Sequence, residues 1–208
     1  GDGHITYLML FTDGNRMDLS LYTVEQSKQI AREDSLTRLL LDKDALFTDI
    51  PPASDQSYWI TKPTAQHYAD CCNEFWWILQ NAAKGICRDE LPYTKRMLEL
   101  NRDMQDQMLS WWIGCHHDFE ISCGKFGKYF KRYLPDSFWQ LYVQTYADGR
   151  YESIWTAMFT SCELFRLTAR YVASHMDFAY NEEDDARMFA YLQQVHTEYT
   201  QSLLLRPK

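Results

Sequence analysis

Apolar and polar positions alternate with period two at the start of the chain and with a period of about 3.6 through most of its remaining length. His4 to Phe11 is strand-like, Thr12-Asp13-Gly14-Asn15 supplies turn chemistry, and Arg16 to Tyr22 alternates polar with apolar, which predicts a β-hairpin. Residues 23–33 read as a short helix, Leu39 to Leu41 as a further strand before the Asp42-Lys43-Asp44 turn, and Pro51-Pro52 to Thr64 as a loop. Beyond it the pattern predicts helices over 64–85, 89–113, 126–134, 136–147, 150–176 and 182–205. The expected class is α+β, with a boundary near residue 50 separating 1–50 from a helical domain over 51–208. Gly1-Asp2-Gly3 stands directly before the first strand with nothing to cover it, so the first domain reads as truncated.

Two positions break these patterns. In the second strand Arg16, Asp18, Ser20 and Tyr22 share one face while Met17, Leu19 and Leu21 share the other. Asp18 is a mid-strand carboxylate, which strand propensity disfavours; it is either a solvent-facing residue on an open sheet or a functional one. In the helix after Thr64, Tyr68, Cys71, Cys72, Phe75, Trp76, Ile78, Leu79, Ala82 and Ala83 fall on one apolar face. The opposite face carries Gln66, Asp70, Asn73, Glu74 and Asn81, and among them Trp77. A large aromatic among polar groups requires a cover, either a ligand or a neighbouring domain or subunit. With Asp70 and Glu74 beside it, Trp77 suits a guanidinium-bearing sugar through charge-assisted hydrogen bonds and cation–π contact.

Charge adds a third departure. The 208 residues carry a formal net charge of −8, with acids spread along the chain, which argues against a nucleic-acid partner and matches a cationic small molecule. Against that trend, Gly124-Lys125-Phe126-Gly127-Lys128-Tyr129-Phe130-Lys131-Arg132 holds four positive charges and no acid. Lys125, Lys128 and Arg132 are spaced to share one side of a helix with a glycine-rich start, suited to phosphate oxygens or to pairing with the acidic domain. The run Glu182-Glu183-Asp184-Asp185 behind Asn181 suits a helix N-cap and the positive end of its dipole, and is assigned to structure.

Other chemistries are poorly represented. The six cysteines form no C-x-x-C ligand pair and read as reduced thiols, and His116-His117 has no companion at metal-ligand spacing. No apolar run approaches the ~20 residues of a membrane span and no signal segment opens the chain, so the expected compartment is the cytoplasm. Arg170 and His175 form an R-x-x-x-x-H string similar to that of HEPN-type ribonucleases, a pattern short enough to arise often by chance.

Three segments together resemble the aminoglycoside 6-adenylyltransferase (streptomycin adenylyltransferase) family. They are Asp13-Gly14-Asn15-Arg16-Met17-Asp18-Leu19; the stretch from Leu40-Leu41-Asp42-Lys43-Asp44 through Tyr58-Trp59 and Lys62-Pro63-Thr64 to Cys71-Cys72-Asn73-Glu74-Phe75-Trp76-Trp77; and Gly124-Lys125 to Tyr133-Leu134. The resemblance implies the remnant of a nucleotidyltransferase mixed β-sheet domain followed by a C-terminal α-helical bundle that binds substrate. It implies AMP transfer from ATP, with Mg2+, to a hydroxyl of streptomycin, and an antibiotic lying between the domains. The family's Gly-Ser loop and paired aspartates do not occur in this sequence, so this fragment alone is expected to be inactive.

On this resemblance Asp18 is the third carboxylate, acting as base or metal ligand, because a sugar hydroxyl is a poor nucleophile until its proton is accepted. Lys125 and Lys128 would steady the phosphates, and Asp70, Glu74 and Trp77 would meet the antibiotic's guanidinium groups. A monomer or weak homodimer is expected, with neither nucleic acid nor membrane as partner. Two alternatives remain: a nucleotidyltransferase-like protein with another acceptor, and a non-catalytic helical binding module.

Overall fold

Strands β1 (Ile5–Leu10) and β2 (Arg16–Leu21) pair antiparallel, with Tyr7 opposite Leu19 and Leu8 opposite Asp18. The turn between them closes on Asp13, whose carboxylate accepts from the Asn15 backbone at 3.0 Å and from the Asn15 side chain at 2.9 Å. Those bonds hold the Asp13 carboxyl below the usual range. Gly14 takes the left-handed φ of +85° that the turn requires. The register gathers Ile5, Tyr7, Met9, Met17, Leu19 and Leu21 on one face and leaves Asp18 on the other with Thr6, Leu8, Leu10, Arg16 and Ser20.

In the computed structural model, which describes residues 3–47 and 50–205, the chain divides into two compact units, Gly1–Tyr58 and Trp59–Lys208. In the first, Thr23 opens helix α1 (Val24–Glu33) through a capping box: its hydroxyl accepts from Gln26 N and the Gln26 side chain accepts from Thr23 N. Segment 54–58 is tied back to the end of α1. Ser35 Oγ donates to Ser54 O at 2.7 Å and accepts from Ser57 N at 3.0 Å, and Tyr58 donates to Asp34 at 3.1 Å.

The strand expected over Leu39–Leu41 does not form. Among the described residues the sheet has two strands, and Leu40 and Leu41 are exposed without a ladder partner. The local organiser is Asp42, whose carboxylate accepts from Leu46 N and Phe47 N and is held below the usual range by those bonds. A side chain that bonds the backbone a turn further on competes with extended pairing.

The second unit is helical: α2 (Ala65–Cys87), α3 (Leu91–His116), α4 (Phe130–Tyr133), α5 (Asp136–Gln144), α6 (Tyr151–Met176) and α7 (Glu182–Leu204). Thr64 caps α2 by accepting from His67 N. All nine residues assigned to the apolar face of α2 are buried. Phe75 stacks on Phe165 of α6 at 3.7 Å, Trp76 meets Phe75 edge-on, and the Tyr68 hydroxyl donates to Ala169 O across the same interface. Asn101 of α3 donates to Phe75 O at 2.8 Å, so this buried amide joins α3 to α2. Near the end of α2, Gly85 admits the start of α3, because a Cβ there would stand 2.3 Å from Thr94 Oγ1. The architecture is α+β, with a small antiparallel sheet and seven α-helices among the described residues.

The continuous helix expected over 126–134 is also corrected. Residues 125–127 form a single tight turn, and α4 begins only at Phe130. Gly124, Phe126 and Gly127 all lie at positive φ, which no right-handed helix admits. A Cβ on Gly127 would approach Phe130 Cε2 to 2.4 Å, so glycine is what lets the chain double back.

Candidate functional site

Half of α2 faces away from the core, and there Trp77 is 58% exposed. Across from it the segment 179–181 and the first turns of α7 complete a groove of about 540 Å³. That volume lies within the ~300–1,000 Å³ range of small-molecule sites. Asp70, Asn73, Trp76 and Trp77 come from α2; Tyr180, Asn181, Asp184, Arg187 and Tyr191 come from the far wall. Of the candidate substrate residues, Asp70 and Trp77 therefore share one groove, whereas Glu74 lies on the same exposed helix face but outside the lining.

Electrostatics of the groove are set by its neighbours. Asp70 accepts from Gln66 Nε2 at 2.7 Å, one turn back on α2. The Arg187 guanidinium is engaged by Glu183. The floor does not ionise: burial pushes the Cys72 thiol up to about 12, so it stays protonated and inert, and Tyr180 is likewise pushed up by burial and by its hydrogen bond to Asp185.

Lys125 and Lys128 belong to the second unit and stand on the glycine turn and just after it, outside the groove. Aromatic rings organise this basic segment. Lys128 Nζ lies 4.8 Å and the Arg132 guanidinium 4.4 Å from the centre of the Tyr129 ring, while Lys125 lies 5.2 Å from Phe126. Among the described residues none of Lys125, Lys128, Lys131 and Arg132 has an ion-pair partner. Lys128 and Arg132 thus share the Tyr129 ring.

Asp18 lies in the first unit, on β2. Its carboxylate takes both Arg16 bonds, Nε to Oδ1 at 2.9 Å and Nη2 to Oδ2 at 2.7 Å, with 45% of the side chain exposed. The pair fixes the carboxylate plane on the strand face and raises the Arg16 pKa. Among the described residues no group of three or more His, Cys, Asp or Glu side chains is placed to hold a metal ion. Asp18, with its arginine, offers a single carboxylate on this strand face.

A far wall supplied by α7 was not visible in the sequence, where its acids read as helix-dipole partners. The cue available was Tyr191, spaced seven residues beyond Asp184 and so on the same helix face.

A small α+β unit followed by a helical bundle with a ligand-sized, acid- and aromatic-lined groove is the class these observations define. The model of the streptomycin adenylyltransferase family matches residues 1–195, and the chain belongs to that family. It is 34% identical over 182 residues to the aminoglycoside 6-adenylyltransferase of Bacillus subtilis (strain 168), covering 86% of this chain and 64% of that relative. It is 36% identical over 181 residues to that of Campylobacter jejuni, covering 86% and 63%. For Staphylococcus aureus the figures are 32% over 177 residues, covering 84% and 63%. The chain thus spans just under two thirds of the curated relatives it matches. A crystal structure of an aminoglycoside 6-adenyltransferase from Bacillus subtilis is similar with a TM-score of 0.62 and 28% identity, covering 93% of this chain and 71% of that one.

Proposed function

We propose that this chain is part of a cytoplasmic aminoglycoside 6-adenylyltransferase that moves AMP from ATP onto a hydroxyl of streptomycin. The observation that carries the reading is the family match over residues 1–195, which spans both units. The groove supports it, since streptomycin presents two guanidinium groups and the groove offers Asp70 beside the open face of Trp77. Glu74, exposed one turn from Asp70, is the third proposed contact, at the rim.

In this reading Asp18 accepts the proton of the attacking hydroxyl or helps seat the magnesium that accompanies ATP, and the Arg16 fork keeps its carboxylate in one orientation. Lys125 and Lys128 steady the ATP phosphates, a role suited to cations that lack an acidic partner within their own segment. Magnesium enters the proposal as the companion of ATP, with no ligand set among the described residues. The division proposed is a nucleotidyltransferase part over 1–50 and a substrate-binding helical part over 51–208. No helix among the described residues is long and apolar enough to cross a membrane, in keeping with a cytoplasmic enzyme.

The test is mass spectrometry of streptomycin incubated with ATP, Mg2+ and the protein at the full length of its relatives. The expected product is heavier by one AMP, and Asp18→Asn is expected to lower the rate by about 10²-fold or more while sparing antibiotic binding. No mass gain on any aminoglycoside overturns the reading. A second reading, a helical module that binds without turnover, draws on the groove lying wholly within the second unit; binding by this chain with no transfer by the longer protein would favour it.

A further inference from the structure

Four consecutive acids open α7, and the structure treats them unequally. Glu182 pairs with Arg170, Glu183 with Arg187, and Asp185 with Arg166. Asp184 has no cation partner among the described residues. Its N–H donates to the Asn181 side chain at 3.1 Å and its carboxylate accepts from Asn181 Nδ2 at 2.5 Å, leaving acceptor capacity unused. Asp184 thus takes part in the Asn181 cap, yet among the described residues it alone of the four acids lacks a cation, and it stands on the groove wall.

The rest of the lining points the same way. Asp70, on the opposite wall, also lacks a cation among the described residues, and the one guanidinium in the groove is engaged by Glu183. Two carboxylates therefore remain uncompensated inside a concave site, between the exposed faces of Trp77 and Tyr191. Trp76, only 5% exposed in the same wall, carries a buried indole N–H without a hydrogen-bond partner. A cavity of this size, with aromatic sides and net negative charge, fits a small flat cation better than an anion, a neutral sugar or a macromolecule.

We propose that Asp184 and Tyr191 form the second wall of the cation-binding site in this groove, taking a guanidinium group of the ligand opposite Asp70 and Trp77. The ligand class is a small molecule bearing two planar cationic groups, and Asp184 determines specificity for it. This deepens the reading of the groove as the aminoglycoside site and rests on that reading for the identity of the ligand. The charge pattern itself is independent of it.

The experiment titrates the chain with streptomycin and, separately, with the simple dication diguanidinobutane, followed by tryptophan fluorescence and calorimetry. Asp184→Asn and Tyr191→Ala are expected to raise Kd for both probes, Asp184→Asn by about tenfold or more. Glu182→Gln, which removes an acid outside the lining, should leave both within about twofold. Melting curves report whether each variant folds, and Tyr191→Ala carries the test should Asp184→Asn not fold. Unchanged affinity in the folded Asp184→Asn or Tyr191→Ala variant overturns the proposal while leaving adenylyl transfer to its own mass-gain test. Binding of diguanidinobutane that needs Asp184, with no binding of streptomycin, upholds the cation site and removes the aminoglycoside reading. Binding of neither probe by the unaltered chain overturns the site.

Discussion

Arg166 reaches from α6 to Asp185 on α7 with two hydrogen bonds, Nε to Oδ2 at 2.6 Å and Nη2 to Oδ1 at 2.5 Å, and Asp185 is only 2% exposed. The Tyr180 hydroxyl adds a third bond to the same carboxylate at 2.8 Å. This cluster fixes the start of α7 against α6, and with it the far wall of the groove. Asp185→Ala leaves the guanidinium, itself three-quarters buried, without its partner. The expected loss is about 3 kcal/mol, read from the midpoint of urea unfolding, together with weaker ligand binding. A variant as stable as the unaltered chain would mean that α7 is held by its apolar contacts alone.

Phe75 and Trp77 are two positions apart on α2 and predict opposite outcomes. Phe75 is fully buried against Phe165, so Phe75→Ala should cost about 3–5 kcal/mol. Trp77→Ala should change stability by less than about 0.5 kcal/mol, because most of its ring faces solvent. It should nevertheless weaken streptomycin about fivefold, the loss of one exposed cation–π contact of about 1 kcal/mol. A large drop in thermal stability with Trp77→Ala would show that the ring packs in the fold.

Much of this contrast was legible in the sequence. A helix long enough to show several turns of its period announces both faces, so the core of α2 and the misplaced Trp77 are apparent from spacing alone. Local turn chemistry likewise announces the hairpin at Asp13-Gly14-Asn15 and the Asn181 cap. Leu39–Leu41 misled because an apolar triplet does not specify a pairing partner, and here the Asp42 side chain bonds the backbone instead. The helix over 126–134 misled because Phe126, a non-glycine residue, takes a left-handed conformation that its identity does not suggest. The α7 wall was hidden for a different reason: Asp70 and Asp184 are over a hundred positions apart, and only tertiary ion pairs distinguish Asp184 from the acids beside it.

Lys128 gives a kinetic prediction that separates nucleotide from antibiotic. Its ammonium lies over Tyr129, outside the groove. In the full-length enzyme, Lys128→Gln is expected to raise KM for ATP about fivefold to tenfold, the loss of one charge-assisted phosphate contact. The Kd for streptomycin should not move. A streptomycin defect with normal ATP kinetics would transfer Lys128 to the other substrate.

Asp106 on α3 connects stability to pH. Burial is the main cause that pushes its carboxyl up from 3.8 to about 6, the hydrogen bond with Tyr142 and the charge of Arg102 oppose the rise, and Asp103 adds to it. Its Oδ1 is buried without a hydrogen-bond partner, as expected of a carboxyl that favours its neutral form. Because the folded-state pKa is the higher one, the native chain binds more protons than the unfolded chain between pH 3.8 and about 6. Stability at this site is therefore greatest below that window, falls as pH rises through it, and stays low above it. The fall is on the order of 3 kcal/mol. Asp106→Asn keeps the shape and an acceptor for Tyr142 without the charge, so its stability relative to the unaltered chain should climb across the window and level off above it. Urea unfolding of both proteins at a series of pH values measures that difference directly. A difference that is flat across the series, or that favours aspartate at neutral pH, would mean that Asp106 is ionised and compensated in the folded chain.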